Sequence, residues 1–200
     1  MIVRAIVKGV ANIYCHLVYK MEVKGLENIP KEGAAIICPN HIHFMDSISV
    51  VIYIKRMIYP MSKEELFRNK FMAWFMRQLG CYPIRRGKGD SEAIEFSKKL
   101  LREKKLLLLF PEGTRNGLEK GLRFKKGAAL LALYENVPII PVGIKGTFKP
   151  FSKVTLNFGK PITLEKYKTG EEADPREIIT LTNEIKDEVV RLRDNYWLFM

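Results

Sequence analysis

Cys38–Asp46 reads CPNHIHFMD and follows the apolar run AAII directly. Such a crowd of histidine, aspartate, asparagine and cysteine suits a metal site, an imidazole–carboxylate pair for proton transfer, or a polar turn in which Asp46 caps a helix. A metal needs a full set of suitable ligands. Cys38, His41, His43 and Asp46 could contribute, but the one other histidine, His16, lies far back in the chain and nothing completes the set, so no metal is expected. His41 and Asp46 are five residues apart, which is about 140° around a continuous helix, too far to share a face. If the chain turns after His41 and a helix starts near Asp46, the carboxylate can fold back onto the imidazole. An aspartate that holds Nδ1–H leaves Nε2 to accept a substrate proton. The plain N-cap reading of Asp46 stays open beside it. His43 is expected to be a bystander or to line a pocket.

A second polar cluster follows the run LLLLF as PEGTR (111–115). Pro111 ends the strand, and Gly113 permits a tight turn or the close approach of a substrate. Glu112 and Arg115 then sit at the strand's end, either as chemistry or as a turn with a surface ion pair. No G-x-S-x-G elbow and no G-x-x-x-x-G-K-[ST] loop occurs, so a nucleophilic serine and a nucleotide-cradling loop are both unsupported. If His41 is a base, the nucleophile comes with the substrate.

The elements that must carry these clusters alternate. Apolar runs at 34–38, 56–61, 81–85, 106–110, 139–144 and 154–158 predict strands; 46–54, 64–79, 91–104, 124–136 and 176–196 predict helices. This pattern implies an α/β fold, a single domain with a mixed, largely parallel central sheet flanked by helices. LLLLF lacks polar alternation and should be a central strand buried on both faces. A strand ending at Cys38 would bring Asn40 and His41 to the sheet's C-terminal edge, where α/β sites form. Residues 1–20 predict an amphipathic helix. Apolar Ile2, Val3, Ile6, Val7, Val10, Ile13, Tyr14, Leu17 and Val18 recur at three- and four-residue spacing, with Arg4, Lys8, Asn12 and His16 on the other side. It reads as a membrane-surface helix with a basic polar face, the alternative being a helix packed on its own domain. Its uncharged run, 9–19, is too short to span a bilayer. The division is therefore 1–20, a membrane-associating helix, and 21–200, the remaining domain.

With 200 residues, 47% of them hydrophobic, the composition is globular. A net charge of +12 favours anionic partners. The chain lacks nucleic-acid-binding signatures, and its aromatics sit among aliphatics rather than on a basic stacking platform, so no nucleic acid is expected. Cys15, Cys38 and Cys81 are scattered and odd in number, which predicts reduced thiols on a cytosolic side. No signal peptide is expected, because the first apolar stretch carries Arg4 and Lys8 and no small-residue cleavage site.

Asn40-His41-x-x-x-x-Asp46, followed by Phe110-Pro111-Glu112-Gly113-Thr114-Arg115, resembles the glycerolipid acyltransferases, the family of 1-acylglycerol-3-phosphate acyltransferases. Gly80-Cys81-Tyr82-Pro83-Ile84-Arg85-Arg86 and Val137-Pro138-Ile139-Ile140-Pro141-Val142 resemble that family's other two blocks, in order, and the likeness covers about 22–165. Pro83 departs from the larger apolar residue often found there. The resemblance implies transfer of a fatty acyl chain from a thioester to a glycerol hydroxyl. His41 would be the general base and Asp46 its orienting carboxylate. Arg86, Arg115 and Lys63 would bind the acceptor phosphate, in a substrate site that includes Asn40, Glu112, Gly113 and Thr114. Asn40 would position the catalytic loop, and Glu112 would fix the acceptor hydroxyl or an arginine. Pro138 and Pro141 would shape a strand beside the acyl pocket.

No cofactor is implied beyond an acyl carrier protein or coenzyme A thioester as co-substrate. The expected acceptor is a lysophospholipid, with lysophosphatidic acid favoured over glycerol 3-phosphate or another lysophospholipid; a non-catalytic lipid-binding module is the other reading. The expected setting is peripheral, on the cytoplasmic face of a membrane. KFMAWFMRQL (70–79) supplies a second apolar anchor or a buried helix.

Overall fold

The computed structural model describes residues 2–84, 91–170 and 173–194. Within them seven strands form one sheet: β1 (Lys20–Lys24), β2 (Ala35–Pro39), β3 (Ile58–Lys63), β4 (Tyr82–Ile84), β5 (Leu106–Leu108), β6 (Ile139–Lys145) and β7 (Lys153–Phe158). Their order is β1-β7-β6-β2-β5-β3-β4. Every neighbouring pair is parallel except β6 with β7, as the mixed, largely parallel expectation has it. The polar-free LLLLF run supplies β5, an interior strand. Leu107 packs into one core layer, and Leu106 and Leu108 into the other. Burial on both faces removes any pressure for polar alternation.

Six helices flank the sheet among the described residues: α1 (Ile2–Val18), α2 (Met45–Tyr53), α3 (Lys70–Gln78), α4 (Ser91–Arg102), α5 (Gly127–Glu135) and α6 (Pro175–Asp194). Helices α4, α5 and α6 contribute Leu100, Leu131 and Leu181 to one layer; α1 and α2 contribute Cys15 and Val50 to the other. The helix expected over 64–79 is broken. Residues Glu64–Phe67 form a 3-10 turn, and α3 starts only after Asn69, whose extended backbone and side chain accepting Met72 N–H at 3.0 Å form an N-cap. Strand β1 has no expected counterpart; KMEVK is a half-exposed edge strand with too short an apolar signal to stand out. Pro83 lies in β4 at the other edge, where a missing backbone donor is tolerated.

Helix α1 packs on the domain through its polar side and turns its apolar side outward. Ile2, Ile6, Val10, Ile13 and Leu17 are 60–77% exposed, while the stripe carrying Arg4, Lys8 and Cys15 turns toward the domain. Lys8 Nζ donates to the Ile54 carbonyl at 2.6 Å, a cation at the C-terminal end of α2, where the helix dipole favours it. Burial holds both the Lys8 ammonium and the Arg4 guanidinium below their usual pKa. Among the described residues no helix is long and apolar enough to cross a membrane. All three cysteines are free thiols, each with its pKa raised by burial.

Candidate active site

Strands β2, β5, β3 and β6 run in parallel and end on one edge of the sheet. Past Pro39 the chain leaves β2 and makes the tight turn 40–44 before α2. Asn40 is fully buried. Its side chain donates to the Ile144 carbonyl at 2.9 Å and accepts the Ile144 N–H at 2.6 Å, pinning the turn to β6. His41 Nδ1 lies 2.7 Å from Asp46 Oδ2. The same oxygen accepts the Ile42 and His43 backbone N–H groups at 2.7 and 2.8 Å. An oxygen that gathers three donors is an acceptor, so Nδ1 is the ring nitrogen that donates to it and Nε2 is the one turned away from the carboxylate. Asp46 sits in the first turn of α2, but Phe44 is the N-cap; the aspartate serves the preceding turn rather than the helix's own amides. The buried α2 terminus also favours its negative charge.

The second cluster meets the first. Glu112, only 3% exposed, accepts His41 N–H at 2.6 Å and Leu118 N–H at 2.8 Å, one on each oxygen. Asn116 N–H closes onto the His41 carbonyl at 2.6 Å. The Phe110 ring stacks on His41 at 4.2 Å between centroids, fixing the plane of the imidazole. Gly113 has φ +67°, a left-handed conformation that favours glycine, and a β-carbon there would push aside the exposed tail of Lys125. Gly117 is constrained by space instead, because a β-carbon would lie 2.8 Å from Oε2 of the buried Glu112.

His41, Asp46 and Glu112 thus form one hydrogen-bonded unit, and Asn40, next to His41 in the chain, ties its turn to β6. Gly113 and Thr114 share the adjoining half-buried turn, and Arg115 is exposed beside them. Lys63 is exposed at the end of β3, on the same edge. Arg86 lies outside the described residues. The bonds of Glu112 go to backbone, not to an arginine. Pro138 precedes β6 and Pro141 lies within it, paired in register with Cys38 of β2. His43 stacks on Phe148 at 5.0 Å, and its Nδ1 accepts Met45 N–H at 3.3 Å. Phe110 and Asn116 were given no role on sequence grounds. The phenylalanine could have been suspected from its place at the strand end, but a backbone amide such as that of Asn116 leaves no trace in residue type. Among the described residues no group of three or more His, Cys, Asp or Glu side chains is placed to hold a metal.

A family model described as Acyltransferase matches residues 20–145, a span that holds both clusters. The chain belongs to the acyltransferase family. A 1-acyl-sn-glycerol-3-phosphate acyltransferase of Bacillus subtilis is 30% identical over 149 residues, 71% of this chain and 73% of that protein. A chloroplastic 1-acyl-sn-glycerol-3-phosphate acyltransferase of Arabidopsis thaliana is 29% identical over 191 residues, 92% of this chain but 52% of that protein; the chain spans about half of its length. The crystal structure of a 1-acyl-sn-glycerophosphate acyltransferase from Thermotoga maritima shares the acyltransferase fold, with a TM-score of 0.76, 24% identity, and coverage of 96% of this chain and 78% of that one.

Proposed function

We propose that the protein transfers a fatty acyl chain from an acyl thioester, carried by acyl carrier protein or coenzyme A, to the sn-2 hydroxyl of 1-acylglycerol 3-phosphate, giving phosphatidic acid. The observation that carries the reading is the His41 Nδ1–Asp46 Oδ2 contact of 2.7 Å, which leaves Nε2 of a partly exposed ring as an acceptor beside a basic turn. Nε2 takes the hydroxyl proton as the alcohol oxygen attacks the thioester carbonyl. The tetrahedral intermediate then collapses, the C–S bond breaks, and the proton passes from His41 to the leaving thiolate. General-base assistance of this kind is worth about 10²–10⁴ in rate. No acyl-enzyme and no cofactor enter the balance.

Asn40 and Glu112 hold the turn that carries His41. Arg115, Lys63 and Arg86 are the cations proposed for the acceptor phosphate, with guanidinium suited to bidentate binding; Gly113 and Thr114 line the approach. The acceptor is a bilayer lipid, and residues 1–20 act as the membrane-associating helix of a catalytic domain that spans 21–200. Its outward apolar stripe supports a peripheral seat on the cytoplasmic face, together with Phe71 and Trp74 of α3, 72% and 47% exposed. The inward turn of Arg4 and Lys8 makes this contact apolar rather than electrostatic.

The test is product analysis with lysophosphatidic acid and with glycerol 3-phosphate. Phosphatidic acid from the first acceptor is expected; product from glycerol 3-phosphate alone would replace this reading with that of the sister activity.

A further inference from the structure

Residues 113–126 hold Arg115, Lys120, Arg123, Lys125 and Lys126 against a single acid, Glu119. All six side chains are exposed. Among the described residues no ion pair engages Arg123, Lys125 or Lys126. The charge of Glu119 is felt by the Arg193 guanidinium, which offsets it. This segment is not a loose loop. Asn116 N–H binds the His41 carbonyl at 2.6 Å, Leu118 N–H binds Glu112 at 2.8 Å, and Lys125 N–H binds the Pro111 carbonyl at 2.7 Å. A basic rim is therefore fastened to the turn that holds the catalytic imidazole.

The rim lies on a definite side. Phe124, Leu118 and α5 pack into the core layer of α4 and α6, whereas α1 packs into the opposite layer. The outward apolar stripe of α1 and the basic rim thus lie on opposite faces of the sheet. With the acceptor phosphate assigned to Arg115, Lys63 and Arg86, the outer cations of the rim are left to the second substrate, which comes from water.

We infer that the rim formed by Lys120, Arg123, Lys125 and Lys126 docks the phosphate-bearing end of the acyl donor, a phosphopantetheine thioester. This inference rests on the acyl-transfer reading. A pantetheine thioester carries its acyl group at one end of a long arm and phosphate at the other. That phosphate belongs either to a free nucleotide or to the phosphodiester that joins the arm to an acidic carrier protein. Exposed cations on a fixed support suit both, through charge-assisted contacts and steering of the encounter. Lys125 and Lys126 also precede the first turn of α5, which has no acidic residue; the helix dipole opposes cations there, and a bound phosphate offsets that repulsion.

The test uses the full chain carrying Lys120→Glu, Arg123→Glu and Lys126→Glu together, which spares Arg115 and the packed stem of Lys125. A second variant with Gln at the same three positions covers a failure of the first to fold. Acyl transfer is measured with acyl coenzyme A and with acyl carrier protein, each varied at saturating lysophosphatidic acid, in low and high salt. The KM for donor is expected to rise about tenfold in low salt, with kcat and the acceptor KM little changed, and the gap should narrow in high salt. A rise with the carrier protein alone or with coenzyme A alone supports the inference and names the source of the phosphate. Donor KM unchanged for both overturns it. So does a loss of sedimentation with anionic vesicles at unchanged donor KM, which would make the rim a membrane contact. Calorimetric binding of coenzyme A and of holo carrier protein separates the two readings. Binding by an inactive wild type, lost in the variant, would keep the docking rim and remove the transfer reading.

Discussion

Glu112→Gln tests whether the buried carboxylate serves the loop or the substrate. The wild-type side chain accepts two backbone N–H groups, His41 at 2.6 Å and Leu118 at 2.8 Å. Glutamine has nearly the same shape, but it offers one acceptor oxygen and places an NH₂ donor against the other N–H. Losing a hydrogen bond to a charged acceptor costs about 1.5–3 kcal/mol, and a buried donor left unmet costs about 1–3 kcal/mol. These overlap, so the net loss is about 2–4 kcal/mol. At about 2–4 °C per kcal/mol for a domain of this size, Tm should fall by about 5–15 °C. The kcat should fall with it, because the His41 backbone loses its anchor. Melting followed by circular dichroism, paired with kcat and KM for lysophosphatidic acid, reads both. An unchanged Tm with a raised acceptor KM would refute the reasoning and give Glu112 to the substrate instead.

Asn40→Leu removes both bonds to Ile144 and should destabilise the fold by about 2–4 kcal/mol in urea unfolding; a loss below 1 kcal/mol, by about the lower bound of that range, would mean that β6 does not anchor the turn. Gly113→Ala forces a β-carbon into the left-handed region against Lys125, costing about 1–2 kcal/mol, and should lower transfer activity in proportion; wild-type activity would contradict this. Burial pushes the Tyr82 phenol up to about 12. A raised folded pKa favours the neutral form, so its stabilisation is complete below the usual value of about 10 and is lost as pH climbs toward 12, about 3 kcal/mol in all. Tyr82→Phe should flatten the fall in urea stability between pH 10 and 12, and an identical slope would count against it. Ile6→Asn with Ile13→Asn leaves the inner stripe of α1 intact and should reduce vesicle co-sedimentation about tenfold or more, from about 1.5–3 kcal/mol per buried side chain; unchanged binding would remove α1 from the membrane contact.

Much of the architecture was legible because burial writes itself into residue type. LLLLF announced an interior strand, and the alternation of short apolar runs with helical periods announced the layers. Edge elements were harder. KMEVK is half-exposed and short, so pairing with β7 rather than its own pattern makes it a strand. Residues 64–79 read as one helix because apolar spacing cannot show that Asn69 leaves the helical region to cap a new start. The way α1 meets the domain was left open for a general reason. Periodicity shows two unlike faces but not which one meets the domain, and here Lys8 finds a carbonyl at the end of α2 that no local rule reveals. At the site, His41, Asp46 and the FPEGTR turn stood out by type and spacing. Their mutual support did not, because it runs through the backbone amides of His41, Leu118, Asn116 and Ile144, groups that every residue carries.

The most direct measurement is thiol release from acyl coenzyme A and from acyl carrier protein, with lysophosphatidic acid as acceptor, by wild type and by His41→Ala. A loss of about 10²–10⁴ in kcat with an unchanged melting profile is predicted. Equal release by the two proteins would contradict the assignment of His41 as the base.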